Sequence, residues 1–161
     1  MGESERELTH IDRLGRIRMV DVSEKEPTAR EARAEAFVSV STETMQAIID
    51  QTVPKGNVFE TARLAGILAG KKTWEWIPLC HPIHITGIDI DFAQDPGRNE
   101  IKITSRVTTM DRTGVEMEAM VAASAAALTI YDMCKAIDRG ISIHGVRLTY
   151  KSGGKSGTYE R

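Results

Sequence analysis

The order of hydrophobic periodicities predicts an α+β sandwich, a four-stranded, largely antiparallel sheet with helices packed on one face. Three observations carry this. Segments of period 2 and period 3.6 follow one another as strand, helix, helix, strand, strand, helix, strand. The two middle strand segments flank Asp95-Pro96-Gly97, a turn sequence that makes them a hairpin. One Ala-rich helix then separates that hairpin from a last strand. Together these give the split βαβ, ferredoxin-like arrangement with one added helix.

Each element has its own local reason. Met19, Asp21 and Ser23 read as a short extended piece, and residues 24–33, with Pro27, Thr28 and six charges, as a mobile loop. Ala34, Ala36, Val38 and Val40 alternate against Glu35, Phe37 and Ser39, which predicts a strand over 34–40. Ser41 or Thr42 can cap a helix that carries Met45, Ile48 and Ile49 on one face and ends at Pro54. Lys55-Gly56 form a turn, and Asn57 caps a second helix whose apolar side is Val58, Ala62, Ala65, Ile67 and Leu68. The Lys71-Lys72 pair suits the negative end of that helix.

Residues 85–92 alternate around Gly87, a bulge position, and residues 101–107 alternate again. A long helix is predicted from Gly114 to about Ala136, and Gly140 stops it. Ile141, Ile143, Val146 and Leu148 make the final strand. Apolar residues fall on both sides of several strands, so the sheet's second face is expected to lie under another subunit.

Composition narrows the function classes. A chain of 161 residues is expected to be one domain over 1–161, with loose ends at 1–7 and 158–161. It buries about 68–70% of its unfolded surface without staples. A net charge of −2 excludes a strongly basic nucleic-acid clamp. Three Phe, three Tyr and two Trp are too few for a base-stacking sheet. The apolar run over 120–130 contains Ser124 and Thr129 and is shorter than the ~20 residues of a membrane span. Neither nucleic acid nor membrane is therefore an expected partner. The charged start MGESERELTH has no apolar signal core, which points to the cytoplasm. Cys80 and Cys134 make neither a disulfide framework nor a zinc site.

Four groups of residues could carry chemistry. Cys80, His81 and His84 sit in Ile77-Pro78-Leu79-Cys80-His81-Pro82-Ile83-His84, where two prolines stiffen the loop. Their spacing matches no metal motif, which leaves histidines bonded to backbone or a histidine presented to a ligand. Asp132 and Lys135 share a helix face, as a surface ion pair or as an acid/base pair. Lys151-Ser152-Gly153-Gly154-Lys155-Ser156-Gly157 lacks the first glycine of a Walker A loop, since Thr149 stands there. It remains a flexible tail or a glycine-rich segment whose N–H groups line an anion. Lys55-Gly56-Asn57 puts a cation at a helix start, where anions are favoured.

One geometric consequence is independent of any family. On one straight helix, Glu116 and Asp132 lie 16 residues apart, which is about 24 Å along the axis and ~160° around it. Both can serve one site only if that site is built between subunits.

The motifs then resemble a known family. Leu8-Thr9-His10-Ile11, Met19-Val20-Asp21-Val22, Arg30-Glu31-Ala32, Lys55-Gly56, Ala65-Gly66-Ile67, Lys71-Lys72-Thr73 and Ile77-Pro78-Leu79-Cys80-His81-Pro82 resemble the MoaC family of molybdenum cofactor biosynthesis. So do Thr113-Gly114-Val115-Glu116-Met117-Glu118, Leu128-Thr129-Ile130-Tyr131-Asp132-Met133-Cys134-Lys135-Ala136 and the 151–157 segment. The resemblance runs from about Leu8 to Gly157. Asn57, Ile83 and Arg112 depart from it, where the family often has Asp, Leu and Lys.

The resemblance implies a ferredoxin-like subunit in a homohexamer of three dimers, with the active site at a dimer interface and no cofactor or metal. It implies conversion of a 3′,8-cyclised dihydroguanosine triphosphate into cyclic pyranopterin monophosphate and pyrophosphate. It further implies that Leu79, Cys80, His81, Glu116 and Met117 bind this small-molecule substrate. By the same resemblance Asp132 is the active-site acid, with Lys55 and Lys135 as acid/base and phosphate partners. Lys151 and Arg30 hold phosphate.

Three expectations follow. A lysine of the Lys55/Lys135 pair titrates near neutrality. Lys55, Lys135, Lys151 and Lys155 converge on one triphosphate. Segments 24–33 and 151–157 order only over bound phosphate. The alternative class is a non-catalytic nucleotide-binding regulatory module on the same scaffold. The Asp132/Lys135 pair with Lys55 is more than binding alone needs.

Overall fold

The structure is a computed structural model that describes residues 10–12 and 14–161. The expected loose end over 1–7 and the Leu8-Thr9 start of the first motif lie outside the described residues. The elements are β1 (Thr28–Ser39), α1 (Thr42–Ile49), α2 (Val58–Gly70), α3 (Thr73–Trp76), β2 (Ile85–Asp95), β3 (Glu100–Asp111), α4 (Glu116–Cys134), β4 (Ser142–Ser152) and β5 (Tyr159–Glu160). The sheet order is β2-β3-β1-β4-β5, with antiparallel neighbours throughout. The first four strands have the ferredoxin-like order. The fifth is an addition: Tyr159 and Glu160 pair with Lys151 and Tyr150, so this part of the supposed loose end is a sheet edge.

Helix boundaries follow local chemistry. Ser41 caps α1 by accepting from the Thr44 N–H, and Asn57 caps α2 by accepting from the Glu60 N–H. α1 stops at Ile49, well before Pro54. Gln51 adopts a left-handed φ of 56°, and the N–H groups of Gln51 and Thr52 return to the carbonyls of Ile48 and Ala47. This two-bond closure ends the helix without a glycine. Gly87 marks a register shift against β3, as its position predicts.

β1 begins at Thr28, not Ala34, so more than half of the expected loop is strand. The charges of this stretch hide its period of two. Ala32, Ala34, Ala36 and Val38 are fully buried on the helix side, while Glu31, Arg33 and Glu35 project from the opposite face and find partners there. The Ala row meets Val115, Ala119, Ala122, Ala123 and Ala126 of the helix region, together with Val107, Ile101 and Ile103 of β3. Small residues on both sides let α4 lie close over β1 and β3. Ser105 is the polar exception. Its buried hydroxyl donates to the Ala119 carbonyl at 2.6 Å and ties sheet to helix.

The sheet's second face is not the apolar surface the sequence suggested. Arg106 bridges Glu31 at 2.6 Å and Asp89 at 3.3 Å. Glu35 lies between Lys102 at 2.6 Å and Arg147 at 2.5 Å. Phe37, the large apolar residue among them, lies beneath Lys102 and Arg147 and stacks on His144. Ion pairs and cation–π contacts thus satisfy this face. Large exposed apolar side chains gather on the helix layer instead. Leu68 (51% exposed), Trp76 and Leu128 (55%) border one groove between α2, α3 and α4.

Candidate active site

The first constellation is at the C-terminal end of α4. Gly56 takes a φ of 99° in the α1–α2 loop, a conformation that favours glycine, and the turn projects Lys55 toward α4. Lys55 Nζ donates to Asp132 Oδ2 at 2.7 Å and to the Asp132 carbonyl oxygen at 2.9 Å. Lys135 Nζ lies 2.7 Å from Asp132 Oδ1. One carboxylate therefore grips two ammonium groups, each on its own oxygen.

The charges explain the protonation states. Hydrogen bonds from Lys135 first and Lys55 second hold the Asp132 carboxyl down at about 2. The same contact raises Lys135 above the ordinary lysine value. The expectation of a Lys135 poised near neutrality is thereby overturned. Within one chain its nearest charged partner is an anion, and the side chain is half solvated.

The second constellation is at the other end of the same helix. A cavity of about 330 Å³ is lined by Leu79, Cys80, His81 and Ile83, by Val20 and Lys25, and by Gly114, Glu116, Met117 and Glu118. The five residues that the sequence assigned to substrate all line it. His81 Nε2 sits 2.8 Å from the Val20 carbonyl oxygen. A carbonyl only accepts, so Nε2 carries the proton and a neutral ring offers Nδ1 as an acceptor. The histidine thus anchors to backbone on one side and lines the cavity on the other.

Glu118 was missed. It is only 3% exposed; burial lifts its carboxyl to about 7, opposed by its own backbone N–H and reinforced by the nearby Glu116 charge. Burial also raises the Cys80 thiol, with Glu118 and Glu116 adding to the effect. A signal for Glu118 was present in the helix period. Position 118 falls on the stripe of Val115, Ala119 and Ala122, where a carboxylate is out of place unless it has a task.

A second cavity of about 630 Å³ adjoins the first and shares Lys25, Thr113, Gly114 and Glu116 with it. Arg30, Arg112, Lys155 and Ser156 also line it, together with Glu26, Thr28 and Gly154. Arg30 Nε donates to the Asp111 carbonyl oxygen and Nη2 to that of Arg112, both at 3.0 Å. Lys151 Nζ contacts Ser156 Oγ and lies 3.6 Å from Glu116 Oε1. The predicted phosphate residues thus stand beside the predicted ring-binding residues. Arg112 and Lys25 join them, with no motif to announce them.

The four lysines do not converge within one chain. Lys55 and Lys135 belong to the C-terminal end of α4, while Lys151 and Lys155 belong to its start. A helix of 19 residues separates the two groups by about 27 Å. Nor are the anion-flanking segments wholly without structure of their own, because β1 starts at Thr28 and β4 runs to Ser152. Among the described residues, no three His, Cys, Asp or Glu side chains gather as a metal ligand set.

The chain is similar to known proteins along most of its length. The sequence profile described as the MoaC family matches residues 19–154. The chain is 57% identical over 154 residues to the cyclic pyranopterin monophosphate synthase of Pelotomaculum thermopropionicum, a match that covers 96% of this chain and 91% of that protein. It is 58% identical over 152 residues to the protein of the same name from Geotalea uraniireducens, with 94% and 95% covered.

Proposed function

The chain belongs to the MoaC family, and from that premise we propose that it converts 3′,8-cyclised dihydroguanosine triphosphate into cyclic pyranopterin monophosphate, releasing pyrophosphate, in molybdenum cofactor biosynthesis. The observation that carries this reading is the Asp132 carboxylate bonded at once to Lys55 and Lys135. A binding module has no need of an acid held between two proton-bearing ammonium groups. An enzyme that moves protons among ring nitrogens and a sugar does.

The chemistry divides between the two ends of α4. In ring rebuilding, protons must leave and join several nitrogens. Glu118, half protonated near neutrality, can give or take one at the buried wall of the first cavity, and His81 Nδ1 can accept one. Glu116 accepts from guanine-derived N–H groups. In phosphate cyclisation a ribose hydroxyl attacks the α-phosphorus and pyrophosphate departs. Arg30, Arg112, Lys151 and Lys155 offer cations for the charge on the departing group, each charge-assisted bond contributing about 1.5–3 kcal/mol.

The site is composite. Glu116 and Asp132 stand at opposite ends of one rigid helix, so a complete site needs the Asp132 end of one subunit against the Glu116 end of another. A homohexamer built as three dimers, acting in the cytoplasm, is the assembly we assign. The exposed apolar groove of Leu68, Trp76 and Leu128 supports association through the helix layer.

The test is direct. The purified protein is incubated with the cyclised triphosphate, and pyrophosphate and cyclic pyranopterin monophosphate are quantified together. Release of both is expected. Binding without either product would replace the enzyme reading with the regulatory-module one.

A further inference from the structure

We infer that Gly154 is a positioning residue that fixes the Arg30 guanidinium against the cationic cavity, a role that rests on the phosphate-binding reading of Arg30. Three glycines of the 151–157 segment have positive φ: Gly153 at 91°, Gly154 at 72° and Gly157 at 68°. What surrounds them differs. A Cβ on Gly157 would meet nothing within 4 Å. A Cβ on Gly153 would strike the Ala29 carbonyl oxygen, which is backbone of the neighbouring strand and cannot yield. A Cβ on Gly154 would overlap Arg30 Nη1 and stand 3.0 Å from Cζ and 3.2 Å from Nη2.

The Gly154 backbone therefore lies directly against the guanidinium. Two carbonyls hold the other side of that group, through Nε to Asp111 and Nη2 to Arg112. Among the described residues Nη1 donates to no protein acceptor. Arg30 thus has two of its donor atoms committed to backbone, one left over, and its far end packed beneath a glycine. The arrangement presents a fixed charge to the cavity that Lys155, Arg112 and Lys25 also line. Arg30 is a long side chain, so an added methyl at 154 moves the guanidinium and leaves the sheet in place. The substitution is felt at the anion, not in the fold.

The experiment measures binding of inorganic triphosphate and of pyrophosphate by calorimetry on the full chain. Wild type is compared with Gly154→Ala, Gly157→Ala, Arg30→Ala and the Gly154→Ala/Arg30→Ala double variant. Gly157→Ala controls for positive φ alone. Arg30→Ala should weaken triphosphate binding roughly ten- to hundredfold, the worth of one charge-assisted bond, and Gly154→Ala should approach that loss. Gly157→Ala should bind as wild type does. The double variant should bind no more weakly than Arg30→Ala, because both changes act through one group.

Equal binding by Gly154→Ala and Gly157→Ala, or additive losses in the double variant, would overturn the inference. So would an Arg30→Ala protein that binds triphosphate as wild type does. Should Gly154→Ala fail to fold alone, folding restored by Arg30→Ala sustains the inference, and failure of both overturns it. Pyrophosphate release by wild type from the cyclised substrate judges the proposed activity separately, since these binding measurements need no turnover.

Discussion

Lys55 donates to Asp132 twice, at 2.7 Å to Oδ2 and at 2.9 Å to the backbone carbonyl oxygen, across 77 residues of sequence. The double contact seats the α1–α2 loop on the last turn of α4 and leaves Oδ1 for Lys135. Replacing Asp132 by Asn keeps the shape and removes the charge that organises both lysines. Turnover should fall by about 10²–10⁴ in Asp132→Asn, and substantially in Lys55→Ala and Lys135→Ala. Product formation by the purified variants checks this, and near wild-type turnover in all three would refute it. A carboxyl held at about 2 stays ionised through mildly acid pH. This depressed acid contributes fully above its ordinary value and is lost only as pH falls toward 2. An activity loss near pH 5 therefore has another origin.

A composite site predicts complementation. Asp132→Ala and Glu116→Ala damage opposite ends of α4, and each should be inactive by itself. Subunits of the two variants, mixed under conditions that allow exchange, should regain pyrophosphate release, because a mixed pair contains one intact site. A mixture no more active than its components would place the whole site within one chain.

Glu118 predicts a pH-dependent stability with a definite sign. Its folded carboxyl is raised from 4.5 to about 7, so the native state binds the extra proton between those values. Unfolding free energy then falls as pH rises from 4.5 to about 7 and stays lower beyond. The size is about 3 kcal/mol. Glu118→Gln should flatten this window and raise stability at pH 8, as read from urea unfolding at several pH values. An unchanged profile would mean that Glu118 ionises normally.

Gly66 predicts a cost of a different kind. A Cβ there would collide with Ile90 Cδ1 and stand 2.8 Å from the Ala122 carbonyl oxygen, which is helix backbone. α2 and α4 would have to part. Gly66→Ala should destabilise the fold by about 1–3 kcal/mol, seen as a lower melting temperature. A variant that melts with wild type would show that the helices separate freely.

Much of the fold was legible because it is local. Ser41 and Asn57 cap their helices through contacts three residues away, and Gly87 bends β2 where periodicity breaks. The first half of β1 was not legible. Glu31 and Arg33 look like loop residues until Arg106, brought alongside by β3, pairs with Glu31 at 2.6 Å. The polar second face has the same origin, since Glu35 finds Lys102 on β3 and Arg147 on β4. The site was legible to the extent that its residues lie in short motifs. Arg112, Lys25 and Glu118 gained their places only through the cavities they share.

By itself the sequence determined the order of elements, the caps and turns, the residue types of each motif, and the separation of Glu116 from Asp132 along one helix. These depend on backbone preference and helical rise, which act over a few residues. The tertiary structure alone decided that Lys55 reaches Asp132, that Asp132 stays ionised, that Glu118 does not wholly do so at neutral pH, and that Gly154 rests on Arg30. Coulomb attraction, loss of hydration and close contact depend on distance in space. Such neighbours can lie far apart in the chain, as Arg147 and Glu35 do at 112 residues.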